Sequence, residues 1–413
     1  MTGLGLAGNL ARSFLNSSLT PLLIIASLLL GLGATAILPR EEEPQITVPM
    51  ADIFVSLPGA SAKEVEQRLT TPLEKLIREL PGVEYIYSTS QPSGALVIVR
   101  FLVGTPSEEA MVRLYSKVYA NLDRIPQGAG QPLIKARSID DVPILSFTFS
   151  SEKLGPYSLR AVAAEVEREL RAVDEVSETT LIGGQQRQLR IELLPDKMAA
   201  LGLDPSSLAA ALQGENTRLL SGPIAEGGKS WVVGAGQFLT RPEEISKLII
   251  GTSGSRPIFL DQVARVIDGP AQPSALAWHS KSGSEAFHDA VTLAIAKRRG
   301  ANAIQVSEAV LAKLEAVRAR IVPSQVEVTL TRNYGETAAE RSNELLVHML
   351  IAVVSVSLLI WAALGRREAM VVAIAIPVTL ALTLAVFVLY KFTLNRVTFF
   401  ALIFSIGILV DDA

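Results

Sequence analysis

Cysteine is absent from the 413 residues, so the chain can build neither a disulfide framework nor a thiolate metal site, and its redox compartment stays open. Histidine is scarce, and His279, His288 and His348 lack the short ligand spacing of zinc sites. No metal and no organic cofactor is therefore expected. Charge is thin as well: 19% of residues are charged, the net charge is −3, and no basic cluster suits a phosphate backbone. Nucleic acid is not an expected partner.

Apolar residues are abundant instead. They make up 49% of the chain and mean hydropathy is positive, too apolar for an ordinary soluble enzyme and too long for one core. Four stretches approach the ~20 residues of a membrane-spanning helix. Leu19–Leu38 is uncharged, Leu345–Leu364 holds one histidine, Ala369–Tyr390 contains Pro377, and Val397–Ala413 is shorter. Arg12 before the first span and Arg366-Arg367 between the second and third predict cytoplasmic sides, leaving the long segment between spans one and two outside. Lys391 and Arg396 in the opposite loop weaken that argument. Ala34-Thr35-Ala36 resembles a signal-peptide cleavage site, but the apolar run exceeds the usual ~7–15 residues, which fits an uncleaved anchor better.

The extracytoplasmic segment reads as a repeat. Ile46–Leu57 is a strand, "GASAKEVEQRLTTPLEKLIREL" a helix capped by Ser61, "PGVEYIYSTS" and "GALVIVRFL" strands, and "TPSEEAMVRLYSKVYANLDRI" a second helix. The order returns from Ile144 with strand "ILSFTFS", helix "YSLRAVAAEVERELRAV", and strands "VSETTLIG" and "QLRIELL". Units of this split βαβ kind pack two helices on one face of a small sheet. A further strand, helix and strand after an insertion complete the second unit. The insertion carries "NTRLLSGPIAEGGKSWVVGAGQF", a long hairpin turning at Gly227-Gly228. A surface loop and an arm reaching a neighbouring subunit both fit it.

The last span ends on "SIGILVDDA". Asp411 lies ~21 Å along a helix counted from Val397, at ~1.5 Å per residue, past the middle of a ~30 Å hydrocarbon core. Adjacent acids there mark either the exit of the span or an ion pathway inside a bundle. A membrane aspartyl protease is disfavoured because its two carboxylates must converge on one water, and neighbours on one helix diverge. A membrane-anchored periplasmic ligand-sensing protein is the alternative; it needs a cytoplasmic output domain.

Several stretches in order resemble the N-terminal part of proton-driven RND efflux permeases, in the hydrophobe/amphiphile (acriflavine-resistance-type) branch. They are "VSLPGASAKEVEQRLTTPLEK", "LPGVEYIYSTS", "IGGQQRQLRIELLPDKMAALGL", "AIAIPVTL" and "SIGILVDDA". The resemblance implies an α+β membrane protein whose helices carry periplasmic ferredoxin-like (split βαβ) porter subdomains with an inserted docking subdomain. Its expected boundaries are 1–39 for the N-terminus and first helix, 40–134 for the first porter subdomain, 135–181 with 272–332 for the second, 182–271 for docking, and 333–413 for the remaining helices, the fourth truncated.

It further implies a bacterial inner-membrane antiporter, not an enzyme, with protons as coupling ion. The chain is expected to be an N-terminal fragment of a homotrimer that works with a periplasmic adaptor and an outer-membrane channel. Asp411 and Asp412 would relay protons. Val142, Pro143, Ile144 and Ile182 match substrate-pocket positions, where drug-exporting relatives carry aromatics; the departure puts an aromatic multidrug trap in doubt and leaves an amphiphilic substrate. Leu220, Ser221, Gly222, Pro223, Gly227 and Gly228 would belong to the inter-protomer arm. Heavy-metal exporters are disfavoured by six scattered methionines and the paired acid.

Overall fold

The computed structural model describes residues 14, 17–41, 48–227, 229–236, 238–253 and 256–412. Strand β1 (Met50–Ser56) turns Ala51, Ile53 and Val55 into the core at every second position, while Asp52 on the other face is also buried. It lies between β3 (Gly94–Phe101) and β4 (Leu133–Arg137), and β2 (Val83–Gln91) adds to the outer edge of β3. All pairs are antiparallel, giving the order β2-β3-β1-β4. Two helices cover one face. α2 is built from Ala62–Val65, a wider π turn Glu66–Thr70 and Thr71–Arg78; α3 is Ser107–Tyr119. Val65, Leu69, Leu73, Leu76 and Ile77 of α2 and Ala110, Leu114 and Val118 of α3 recur at helical spacing and fill the core over the sheet.

The second sheet repeats this order with different sequence spacing. β5 (Leu145–Ser150) lies between β14 (His288–Lys297) and β15 (Glu327–Asn333), and β6 (Val176–Gly183) pairs the far edge of β14. A two-residue strand, β13 (Trp278–His279), extends that edge. Helices α4 (Pro156–Leu170) and α8 (Ala303–Ile321) cover one face through Leu159, Ala163, Val166 and Leu170, and through Val306, Val310 and Leu314.

Three sequence-based expectations change here. "QLRIELL" is not the third strand of the second sheet. It is β7 (Arg187–Leu193), and it pairs β12 (Ala264–Pro270) outside that sheet, while β14 takes the place beside β5 and β6. The first sheet extends to Arg137, past the boundary expected at 134, because Lys135, Ala136 and Arg137 pair Asp52, Ala51 and Met50. β6 likewise carries the second sheet through Ile182 to Gly183, past 181.

Between β7 and β12 lies a smaller body. Short helices α5 (Pro195–Ala200), α6 (Pro205–Glu215) and α7 (Pro242–Ser246) and the pair β10 (Ile249–Ser253) and β11 (Arg256–Phe259) share a core of Met198, Leu208, Ile245, Ile258 and Leu260. From it projects the hairpin of β8 (Leu219–Glu226) and β9 (Lys229–Ala235).

Among the described residues three helices are long and apolar enough to cross a membrane: α1 (Leu19–Ile37), α9 (Tyr334–Ala363) and α10 (Arg366–Leu389). A fourth, α11 (Arg396–Asp412), is shorter in its apolar part. α9 starts well before the apolar run read from sequence, capped by Asn333 Oδ1, which accepts from the Glu336 N–H at 3.2 Å. It therefore continues β15 directly into the membrane bundle. Small residues set the helix spacing, as expected where apolar surroundings give no solvent drive to associate. Ser27, Gly31 and Ala34 are the buried face of α1, and a Cβ at Gly31 would sit 2.4 Å from Ala381 Cβ of α10. At Gly335 a Cβ would meet Ser307 Oγ of α8.

Candidate functional site

α11 begins on a well-made cap. Asn395 Oδ1 accepts from the N–H groups of Val397 and Thr398, each at 3.0 Å, and the Asn395 side chain is itself buried. One face of the helix, Phe399, Leu402 and Ile406, is buried and packs with α9 and α10. The opposite stripe, Val397, Phe400, Phe404 and Ile408, is exposed. At ~100° per residue, position 411 continues the exposed stripe and position 412 lies beside it, ~100° round the helix. The backbone thus carries the expected acid pair on the side of α11 that α9 and α10 leave uncovered. The side chains of Asp411 and Asp412 lie outside what is described.

At the sheet-facing end of the helices a cavity of about 760 Å³ opens among Ile37, Leu38 and Pro39 after α1, Val388 and Phe392 around the end of α10, and Val397 and Thr398 of α11. Arg299 and Lys391 also line it. Its walls are mostly apolar, with Lys391 just after α10 and Arg299 in the turn after β14. Sequence reading missed this site because its residues come from four separated segments, none carrying a motif.

Just beside it, residues 38–41 form a strap. Leu394 N–H donates to the Pro39 carbonyl and Glu41 N–H donates to the Leu394 carbonyl, both at 2.9 Å. Glu41 Oε1 then lies 2.8 Å from Lys297 Nζ at the end of β14, with Asp140 Oδ1 at 4.0 Å.

The expected substrate-pocket residues separate. Val142 and Ile182 are exposed, Pro143 is half-buried, and Ile144 is 4% exposed within the core beneath α4 and α8, so Ile144 packs inward instead of lining a surface. Ile144 N–H bonds the Ile295 carbonyl, whereas Ile182 pairs Thr292, three residues further along β14. At ~3.4 Å per residue that is a displacement of ~10 Å. This chain alone does not bring the four into one pocket. Ile182 instead shares the helix-free face of the second sheet with a hydroxyl ladder: Thr148 Oγ1 lies 3.0 Å from Thr292 Oγ1 and 3.1 Å from Thr331 Oγ1.

At the far end of this sheet a cleft of about 700 Å³ is lined by His279, Lys281, His288 and Glu327 among others. His279 pairs His288 across β13 and β14. The Lys281 ammonium, donating to Glu327, holds that carboxyl below the ordinary glutamate range. Among the described residues no cluster of three groups fit to hold a metal occurs.

The hairpin exposes its apolar residues. Leu219, Leu220, Trp231 and Val232 are each more than half accessible. Gly222, Pro223 and Gly227 are exposed, Ser221 is a strand residue whose side chain is outside the description, and Gly228 lies outside the described residues. Gly227, at φ +60°, opens the turn between Glu226 and Lys229.

Against known proteins, a family model described as AcrB/AcrD/AcrF family matches residues 12–413. Multidrug resistance protein MdtC of Yersinia pseudotuberculosis serotype O:1b (strain IP 31758) is 27% identical over 397 residues, which is 95% of this chain and 38% of that protein. The protein of the same name from Yersinia pestis bv. Antiqua (strain Angola) matches to the same extent. The chain thus spans 38% of the length of these curated relatives.

Proposed function

This chain belongs to the AcrB/AcrD/AcrF family, and on that premise we propose that it forms the N-terminal portion of an inner-membrane RND permease exporting amphiphilic or hydrophobic compounds in exchange for protons. The antiport reading is supported by the helix positions of 411 and 412, which by helical spacing fall away from the buried face of Phe399, Leu402 and Ile406. A carboxylate continuing an apolar stripe is costly against lipid, so that side calls for a protein partner with basic or hydroxyl groups. Proton uptake there changes the charge facing the partner, and a bundle with two packings converts that change into helix displacement.

In this reading the first sheet with α2 and α3 is one porter subdomain, and the second sheet with α4 and α8 is the other. The body between β7 and β12 docks, and the β8–β9 hairpin is the arm entering the next protomer of a homotrimer. A periplasmic adaptor and an outer-membrane channel complete the tripartite path. The relatives are named multidrug resistance proteins; an amphiphilic cargo fits this chain through the cavity at the helix ends, whose volume falls in the ~300–1,000 Å³ range of small-molecule sites. Ile182 and the threonine ladder give the second sheet a less aromatic, more hydroxylated face toward substrate.

The test is efflux by the complete transporter under an imposed proton gradient. Asp411→Asn and Asp412→Asn each keep side-chain size but cannot take up and release a proton. Each should lower energised export about a hundredfold or more, from the lower end of what one positioned proton-transfer group contributes, while membrane insertion and substrate binding persist. Near-normal export by both variants would remove the relay.

A further inference from the structure

The Glu41–Lys297 pair sits where three parts of the molecule meet. Glu41 closes the strap that follows α1, Lys297 ends β14 of the second sheet, and Asp140 belongs to the connection between the two sheets. Glu41 is 3% and Lys297 5% exposed. Two ions so enclosed are an unusual choice for stability alone, because desolvation offsets their attraction and a well-packed neutral pair commonly serves as well. Such a pair does fix register, since either charge left alone in that place is strongly disfavoured.

The strap also holds the membrane bundle. Its main chain bonds Leu394 on both sides, and Leu394 lies in the short connection between α10 and the Asn395 cap of α11. Leu394 is fully buried and Asn395 nearly so, so this connection cannot slide without the strap. Displacement of α11 along its axis therefore reaches Pro39–Glu41 through two backbone hydrogen bonds, and reaches β14 through one buried ionic contact. β14 lies between β5 and β6, and Lys297, its last residue, pairs Val176 of β6 beyond a register shift, so the joint meets the second sheet at the end of an inner strand.

We infer that Glu41 and Lys297 form a coupling joint through which movement of the α10–α11 connection is transmitted to the second sheet. Lys297 is a positioning residue in this scheme and touches no substrate. The inference rests on the transport reading above for its purpose, but its mechanical content is separable. The parallel route through α9, which runs unbroken from β15, links the bundle to the edge strand; the joint links it to the end of an inner strand.

The experiment uses the complete transporter in a cysteine-free background, with spin labels at Leu389→Cys at the exposed end of α10 and Glu308→Cys on the exposed side of α8. Asp411→Asn with Asp412→Asn mimics the protonated pair. With the native joint the label-to-label distance should shift on introducing these two changes. With Glu41→Gln and Lys297→Met, which remove both charges at similar volume, the shift should vanish and proton-driven export should fall about tenfold, a coupling within the usual span for linked sites, at unchanged thermal midpoint. Reversing the pair as Glu41→Lys with Lys297→Glu, with Asp140→Asn added so that the new glutamate does not face a second carboxylate, keeps the contact and should restore the shift.

A shift that persists in the neutral pair overturns the joint, whatever export does. So does the lack of any shift in the native joint. Failure of both the neutral and the reversed pair to accumulate in the membrane overturns it too, in favour of a bond that is structural only. A wild-type transporter that shows the shift but no proton-dependent export keeps the joint and sinks the transport reading.

Discussion

A hydroxyl and a carboxylate three positions apart hold the start of α2. Glu64 N–H donates to Ser61 Oγ at 3.4 Å, and Ser61 N–H donates to Glu64 Oε2 at 2.9 Å, so two otherwise orphaned donors are satisfied reciprocally. Ser61→Ala should cost about 1 kcal/mol, read as a lower denaturation midpoint. The N–H of Ser61 and then its hydroxyl hold the Glu64 carboxyl below the ordinary glutamate range. A carboxyl held low in the folded state stabilises above its unfolded pKa and stops doing so as pH falls through its folded value. The gap between wild type and Ser61→Ala should therefore be full at pH 7 and narrow as pH falls through the folded value of Glu64, leaving the part due to the neutral bond from the Glu64 N–H to Ser61 Oγ; a gap independent of pH down to full unfolding refutes the carboxylate's part. This cap was legible because the Ser-x-x-Glu spacing is local. Ile144 was not: the sequence around "DVPILSF" is apolar on both sides of the strand, and only the helices packed above decide which residue turns inward.

At the scale of elements, Gly31 governs how closely α1 approaches α10. Its missing side chain leaves backbone against Ala381, where a Cβ would come within 2.4 Å of the alanine Cβ and 2.6 Å of its Cα. Neither is the end of a flexible chain, so the helices must part. Gly31→Ala should destabilise the bundle by about 1–3 kcal/mol, the usual cost of overpacking, seen as a lower midpoint in detergent; Gly33→Ala, two residues on with open space around it, is the control. An equal response of the two would mean that α1 is not tightly packed. Three strands of the first sheet could be read from their own runs of residues, but β4 could not: Leu133–Arg137 is short, and only its pairing with β1 across two helices makes it a strand. The second sheet could not be followed either, because β7 and β14 are both strand-like segments and the choice between them depends on a pairing across the inserted body. The length of α9 was missed for a different reason. Its first turns, "YGETAAERSNE", are polar, and a hydropathy reading stops at the apolar run although the helix does not.

For the whole molecule, the hairpin is the part whose stability this chain explains least. β8 and β9 pair only each other among the described strands, and an isolated two-stranded ribbon is marginal in water. Its exposed Leu219, Leu220, Trp231 and Val232 add apolar surface that nothing among the described residues covers. The base is secured, with Leu239 N–H donating to Asn216 Oδ1 at 2.9 Å, so the arm projects from a fixed root. Such a feature gains stability from a neighbour that buries it; in the homotrimer proposed above that neighbour is the next protomer. Deleting 221–234 joins Leu220 to Ala235. Ala235 pairs Leu219 in the hairpin register, so paired Cα atoms ~4.5–5.5 Å apart leave the new peptide bond little distance to close. The root and both sheets should therefore fold as before, with their circular dichroism and thermal midpoint kept. Trimers of the complete transporter should dissociate at protein concentrations where the intact arm holds them, measured by mass photometry after dilution. If the deleted form dissociates no more readily than the parent, the hairpin is a surface loop and the trimer draws its cohesion from elsewhere.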